Sequence, residues 1–477
     1  MKPLTRLFAA IVLVVMVSPT LRADLNVPKI FSDSMVLQRD QSIPVWGWED
    51  AGTEVHVLFE GEVKKATAGD DGKWMVRLSP QKAGGPYKMV IEGQNRVEFN
   101  DVLVGEVWLC SGQSNMEWTV SNSNNPKEEI AAASHPRIRH IKFAHRPSAA
   151  PLTDVPSSGW QVCSPKTVGG FTGVGYFFGR ELQGELDVPV GLIGCNWGGT
   201  RIEPWTPPVG FKETPGLSDI ADKLDEFPTR NNQGKVNHQS PLALYNGMVH
   251  SIVPYGMRGA IWYQGESNNG EGMLYHEKMK ALIHGWRKVW DNDSMPFGFV
   301  QLAPYTYGGD PTRLAGIWEA QTATLKVPHT GMAVTVDVAN LKDIHPRNKQ
   351  DVGRRLALWA LSESYGQKGI VYSGPIYKSM KVEGGRIRVS FDHVGSGLVS
   401  RDDKPLNWFT IAGDDGKFVE ATGTIDGQDV LVTAESVAKP TAVRFGWSQL
   451  AEPNLSNKEG LPASPFRTDS NQALFNK

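Results

Sequence analysis

Three short apolar runs, at 107–110 (VWLC), 190–195 (VGLIGC) and 260–263 (AIWY), each stop in a polar, glycine-bearing segment. The continuations are Ser111-Gly112, Asn196-Trp197-Gly198-Gly199 and Gln264-Gly265-Glu266. Strands that are apolar throughout, rather than at alternate positions, are covered on both faces, as in a parallel sheet. Runs at 297–302 and 332–338 continue the series. Helical periodicity lies between and after them. Leu274, Lys278, Leu282, Trp286 and Val289, with Met279, Ile283 and Trp290, mark one helix; Val352, Leu356, Trp359 and Ala360 mark another. The pattern predicts an α/β unit, a doubly wound parallel sheet, over 104–366. Ligands of such sheets bind beyond the carboxyl ends of the strands. The polar segments fall there.

The flanks read differently. Over 24–103, Val55, Val57 and Phe59 alternate, as do Trp74, Val76 and Leu78 after the Asp70-Asp71-Gly72 turn, and Tyr87, Met89 and Ile91. This predicts an N-terminal all-β sandwich. Over 367–450, Ile387, Val389 and Phe391 alternate, and Asp414-Asp415-Gly416 and Asp426-Gly427 mark turns, which predicts a C-terminal β-rich domain. Residues 451–477 are expected as a tail packing back on the catalytic domain. Residues 205–240 lack a period and are expected as a long loop or small helical insert near the substrate.

Residues 1–23 read as a secretory signal. Lys2 and Arg6 precede an apolar stretch at 7–17, and Ala23 offers a small residue for cleavage. The stretch is too short to cross a hydrocarbon core of ~30 Å. The protein is therefore expected to be exported, to a bacterial periplasm or as a secreted product, with no membrane span.

With 49 Lys+Arg against 51 Asp+Glu the net charge is −2, which leaves no electrostatic footprint for nucleic acid. Cys110, Cys163 and Cys195 are too few for a disulfide scaffold and cannot all pair; Cys110 and Cys195, each ending an apolar run, read as buried small hydrophobes rather than as a bridge. Neither Cys-x-x-Cys nor His-Glu-x-x-His occurs, so no catalytic metal and no cofactor is expected. Fifteen Trp, 11 Tyr and 18 Phe suit a carbohydrate-handling protein as well as a large core. The oligomeric state stays open.

Chemistry sits at the strand ends. Ser114, in Gly112-Gln113-Ser114-Asn115, follows a buried strand; a serine so placed is exposed, and backbone N–H groups converge beside it. Gln113 and Asn115 either add donors or lock the turn. The Gly198-Gly199 pair allows φ > 0 and aims an N–H at the same oxyanion. Gln264 offers a side-chain donor, and Glu266 orients its neighbours. His345, beside Asp343 and ahead of a helix, is a candidate base, with Asp343 fixing its tautomer. Each string alone also reads as a plain turn or cap; together, in this order, they point to acyl transfer.

The set resembles the SGNH hydrolase superfamily, and more closely the sialate O-acetylesterase group of carbohydrate esterases. The matching strings are 105–118 (GEVWLCSGQSNMEW), 196–200 (NWGGT) with Glu203 and Trp205, 243–248 (ALYNGM), 262–268 (WYQGESN), 343–346 (DIHP) with Lys349, 453–455 (PNL) and 460–466 (GLPASPF). They run through nearly the whole chain after residue 30. The resemblance implies an SGNH-type core and removal of O-acetyl groups from a sugar, such as a 9-O-acetylated sialic acid. Ser114 would be the nucleophile, His345 the base and Asp343 the orienting acid. The Ser114 N–H, the Gly199 N–H and the Gln264 side chain would form the oxyanion hole. Gln113, Asn115, Arg201, Glu266 and Asn268 would line the substrate site. Two features depart from the wider superfamily: Asp343 lies two rather than three residues before the histidine, and Gln264 stands where asparagine is usual.

The substrate is more open than the reaction. Similar motifs serve esterases of acetylated xylan or xyloglucan. Arg201 either binds a sialate carboxylate or pairs with Glu203. Trp118, Trp197 and Trp205 either stack on sugar rings or pack. The rival from another class is a non-catalytic carbohydrate-binding protein, in which Ser114 and His345 would not meet.

Overall fold

The computed structural model describes residues 25–469. The signal-peptide reading of 1–23 and the end of the 451–477 tail lie outside them. The central sheet has six parallel strands: β1 (Arg96–Gly112), β2 (Ile138–Lys142), β3 (Val190–Asn196), β4 (Gly259–Tyr263), β5 (Phe297–Val300) and β6 (Thr330–Ala333). Their order across the sheet is β6-β5-β4-β1-β3-β2, and Gln161–Val162 adds an antiparallel edge to β2. The sheet is thus mixed rather than purely parallel.

Four helices cover it: α1 (Gly173–Leu186), α2 (Leu274–Val289), α3 (Arg313–Thr324) and α4 (Lys349–Trp359). Side chains alternate along β1, so Trp108 and Ser111 point to opposite faces. Trp108 meets Phe178 of α1 at 5.0 Å and Trp359 of α4 at 6.3 Å. Trp262 is level with Ser111 and meets Trp286 of α2 at 5.8 Å. Helices α1 and α4 therefore lie on one face and α2 on the other. Trp359 lies directly on β5 and β6, because a Cβ at Gly298 or Gly331 would come within 2.7 or 2.2 Å of its indole.

Strand β1 crosses the expected boundary at 103/104 without a break. Its first half pairs with Gly84–Glu92, in antiparallel ladders that also hold Glu54–Phe59 and Glu62–Thr67, while Val36–Gln38 runs parallel beside it. Ile43–Trp48 and Lys73–Leu78 form a separate two-stranded sheet. At the crossing Glu106 is buried without solvent contact and is neutralised by Arg39 from the N-terminal part and by Arg258, whose Nε lies at 2.8 Å. A lone buried carboxylate would be costly; two guanidiniums offset that cost.

After α4 the chain builds a seven-stranded antiparallel sheet, from Ile376–Glu383 to Phe466–Arg467, around Ile387, Val389, Ile411, Phe445 and neighbours. It docks on the α/β unit through Gln301 Nε2 to Ser464 Oγ (2.8 Å) and Arg467 to Glu319 (2.9 Å). Residues 203–226 form a string of short helical turns, a small helical insert. The three cysteines are free and buried.

His140 on β2 is buried and stacked on Phe171 at 4.6 Å. Burial, with Lys142 nearby, pushes its imidazole down to about 3. The unfolded chain takes up this proton near pH 6.5, the folded one only near 3. This contribution to stability is therefore whole above about pH 6.5 and declines below it by ~1.4 kcal/mol per pH unit. Urea unfolding of His140→Leu from pH 7 to pH 4 should show a flatter decline than wild type; identical slopes would exclude this origin.

Candidate active site

The ladder brings the three strand-end segments to one level. Gly112 of β1 is in register with Asn196 of β3 and with Tyr263 of β4. Gly112 has φ +131°, and a Cβ there would come within 2.2 Å of the Tyr263 carbonyl. Only glycine allows this approach. Gln113 N–H then donates to Tyr263 O (3.0 Å), and the chain turns into the short helix Ser114–Glu117.

Ser114 Oγ lies 2.8 Å from His345 Nε2, although 231 positions separate them. His345 sits on the turn entering α4, and Trp118 stacks on its ring at 4.7 Å and 15°. Asp343 Oδ1 accepts the His345 backbone N–H at 2.9 Å and lies 3.6 Å from Nδ1, beyond hydrogen-bond range. The serine–histidine contact is thus formed, while the acid stays at 3.6 Å from the ring nitrogen. Burial and the nearby Lys349 charge hold the His345 imidazole below its ordinary value, against the opposing pull of Asp343. A neutral imidazole is the form that accepts a proton.

Among the described residues the N–H groups of Ser114 and Gly199 have no acceptor. Gly198 lies against the serine: a Cβ there would be 3.2 Å from Ser114 Cβ. The turn is held by Glu117, whose Oε2 accepts the Gly198 N–H at 2.7 Å. Glu117 Oε1 takes Lys142 Nζ (3.0 Å) and His145 Nε2 (2.8 Å). Burial raises its carboxyl, but His145 and Lys142 outweigh that and leave it at about 2. Sequence reasoning passed over Glu117, since nothing in a helix-borne glutamate signals a partner 81 residues away.

The remaining predicted residues sit in a buried polar frame. Gln264 donates from Nε2 to Asn268 Oδ1 (2.8 Å), Gln113 Oε1 (3.2 Å) and Thr200 O (3.2 Å), and accepts Tyr275 OH at 2.8 Å. Two amide protons serving three acceptors leave none for an oxyanion. The oxyanion role expected of Gln264 is not met by this geometry. Asn268 Nδ2 binds Glu203 and Glu271, both at 3.1 Å. Asn115 donates to Glu266 Oε1 (2.5 Å) and to Ile344 O (3.1 Å). Gln113, Asn115 and Asn268 are buried, so they support the turn rather than face a ligand.

Arg201 is paired. Its guanidinium contacts Glu203 at 3.0 Å and Glu271, while Lys278 binds the same two carboxylates at 2.7 Å each. Burial would raise the Glu203 carboxyl; Lys278 and Arg201 bring it to about 2. Trp197 is sandwiched between His145 (4.4 Å) and His238 (4.8 Å), and Trp205 is fully buried.

Residues 104–362 match the family described as carbohydrate esterase, sialic acid-specific acetylesterase. The chain belongs to this family. Sialate O-acetylesterases of Rattus norvegicus and Homo sapiens are 31% and 30% identical to this esterase, each over 91% of its chain and over 92% and 91% of their own. A crystal structure of a carbohydrate acetylesterase from Xanthomonas citri is similar at 38% identity and a TM-score of 0.86, covering 94% of this chain and 100% of that one. The protein is a carboxylic ester hydrolase.

Replacing Arg201 by Met leaves Glu203 and Glu271 with Lys278 as their one remaining cation of this pair. Such an esterase variant should lose ~1–3 kcal/mol of stability, read by urea unfolding. Wild-type stability in the variant would show that the ion pairs do not hold the turn.

Proposed function

We propose that this esterase removes O-acetyl groups from sugars through an acetyl-enzyme on Ser114. His345 takes the Oγ proton as the oxygen attacks the acetyl carbonyl. The developing oxyanion lies between the N–H groups of Ser114 and Gly199. The imidazolium returns its proton to the departing sugar oxygen, breaking the ester. Water then repeats the sequence, and acetate leaves with Ser114 restored. Asp343 steadies the ring mainly through its backbone N–H. The observation that carries the reading is the 2.8 Å contact between Ser114 Oγ and His345 Nε2.

The first substrate reading is a 9-O-acetylated sialic acid, supported by the family and by the names of its relatives. A second is an acetylated plant polysaccharide, xylan or xyloglucan. It is favoured by the pairing of Arg201 with Glu203 and Glu271, the alternative to its binding a sialate carboxylate. The pattern of residues 1–23 supports action after export.

Acetate release from an aryl acetate, from O-acetylated sialic acid and from acetylated xylan or xyloglucan tests the reading. Ser114→Ala should lose ~10³-fold or more on every active substrate; equal rates would remove the acyl-enzyme. The preferred glycan decides between the two substrates. Because His345 lies below its ordinary value of 6.5, the base stays unprotonated into mildly acidic solution. The acid limb of kcat/KM should therefore have its midpoint below about pH 6.5. A midpoint above 7 would contradict this assignment of the base.

A further inference from the structure

Lys349, in the first turn of α4, has no solvent contact, and among the described residues no carboxylate lies within ion-pair range. Its ammonium donates to Asn115 Oδ1 at 2.6 Å and otherwise faces the rings of Tyr263 (5.2 Å) and Trp118 (6.0 Å). Burying a long cationic side chain for one neutral acceptor is costly, and aromatic faces offset only part of that cost. The other end of the same amide meets Glu266, whose Oε2 is buried without a partner.

An ammonium can only donate and a carboxylate can only accept. Lys349 and Glu266 together therefore leave Asn115 a single orientation, oxygen toward the lysine and nitrogen toward the glutamate. In that orientation its second N–H reaches the carbonyl of Ile344, the residue before His345. Asn115 itself follows Ser114. One amide thus ties the nucleophile's turn to the base's turn, and the two groups at its ends, Lys349 and Glu266, set which way it faces.

We propose that Lys349 is a positioning residue of the esterase: through Asn115 it holds the His345 turn at reacting distance from Ser114. Its charge acts on the same imidazole. His345 is faced by Ser114 and Trp118 from the segment after β1, by Asp343 on its own turn and by Lys349 from α4. Of the two charged groups, Lys349 lowers its proton affinity and Asp343 raises it. Burial brings Lys349 itself down to about 7, so it is charged in the acidic range where His345 titrates.

The test compares wild type, Lys349→Met and Lys349→Arg on an aryl acetate, with thermal unfolding as the folding control. The Met variant should keep its KM, lose ~10²-fold in kcat from a displaced base, and show an acid limb moved upward. The Arg variant, which retains charge and donors, should recover kcat and the wild-type limb. A folded Met variant with unchanged kcat overturns the proposal, as does a kcat loss with an unmoved acid limb. If Lys349→Met does not fold, Asn115→Asp decides. It keeps the acceptor for Lys349 but has no N–H for Ile344, so a fall in kcat at constant KM supports the tie and an unchanged kcat overturns it. The inference rests on the Ser114–His345 reading. An active Ser114→Ala would remove that reading, whereas an inactive Ser114→Ala beside an unaffected Lys349→Met removes this one alone.

Discussion

The parallel ladder on either side of Arg96–Gly112 sets everything else in this molecule. Its register ends Gly112, Asn196 and Tyr263 at one height, so three polar segments emerge side by side from a hydrophobic sheet. A one-residue slip would turn every side chain of a strand to the opposite face, exchanging Trp108 for Leu109 against α1 and α4. The large indoles of Trp108, Trp262, Trp286 and Trp359 make such a slip expensive, because each fills a place shaped by glycine or by another ring. Packing energy far from the site thus becomes positional accuracy at Ser114.

Beyond the strand ends the turns are held by charge rather than by apolar packing. Glu117, Glu203 and Glu266 each accept from or pair with groups on other elements. Buried charges contribute little net stability, since desolvation cancels much of the attraction. Their directionality is the gain. A carboxylate that must accept, or an ammonium that must donate, fixes the facing of its neighbours, as at Asn115. In the glycine turn beside Ser114, Glu117 fixes the Gly198 N–H.

Much of the architecture was legible in the chain because its helices and strands carry their own periodicity. Helix α2 repeats Leu274, Lys278, Leu282 and Trp286, and the structure ends it at Val289. Helix α1 escaped that reading: Tyr176, Phe177, Phe178 and Leu182 are all buried, and a helix wrapped on most sides shows no clear stripe. Strand β1 hid the boundary between the N-terminal sheet and the core, since hydrogen bonding changes partners along it while the strand itself runs on without a break. At the site, the strings holding Ser114, Gly199 and His345 each also read as a plain turn or cap, and only their order along the chain singled them out. Gln264 was misjudged because an amide can serve an oxyanion or a frame, and sequence does not reveal its neighbours.

By itself the sequence determined the alternation of apolar strands and amphipathic helices, and the polar strand ends with their serine, glycines and glutamine. These are local properties, written in spacing and side-chain chemistry. Only the tertiary structure decided that Ser114 and His345 lie 2.8 Å apart, that Arg201 is spent on Glu203 and Glu271, and that Lys349 is enclosed against Asn115 behind Ser114. Those facts depend on which distant groups share a volume. Sheet register and close packing settle that sharing, and no single segment of the chain carries it.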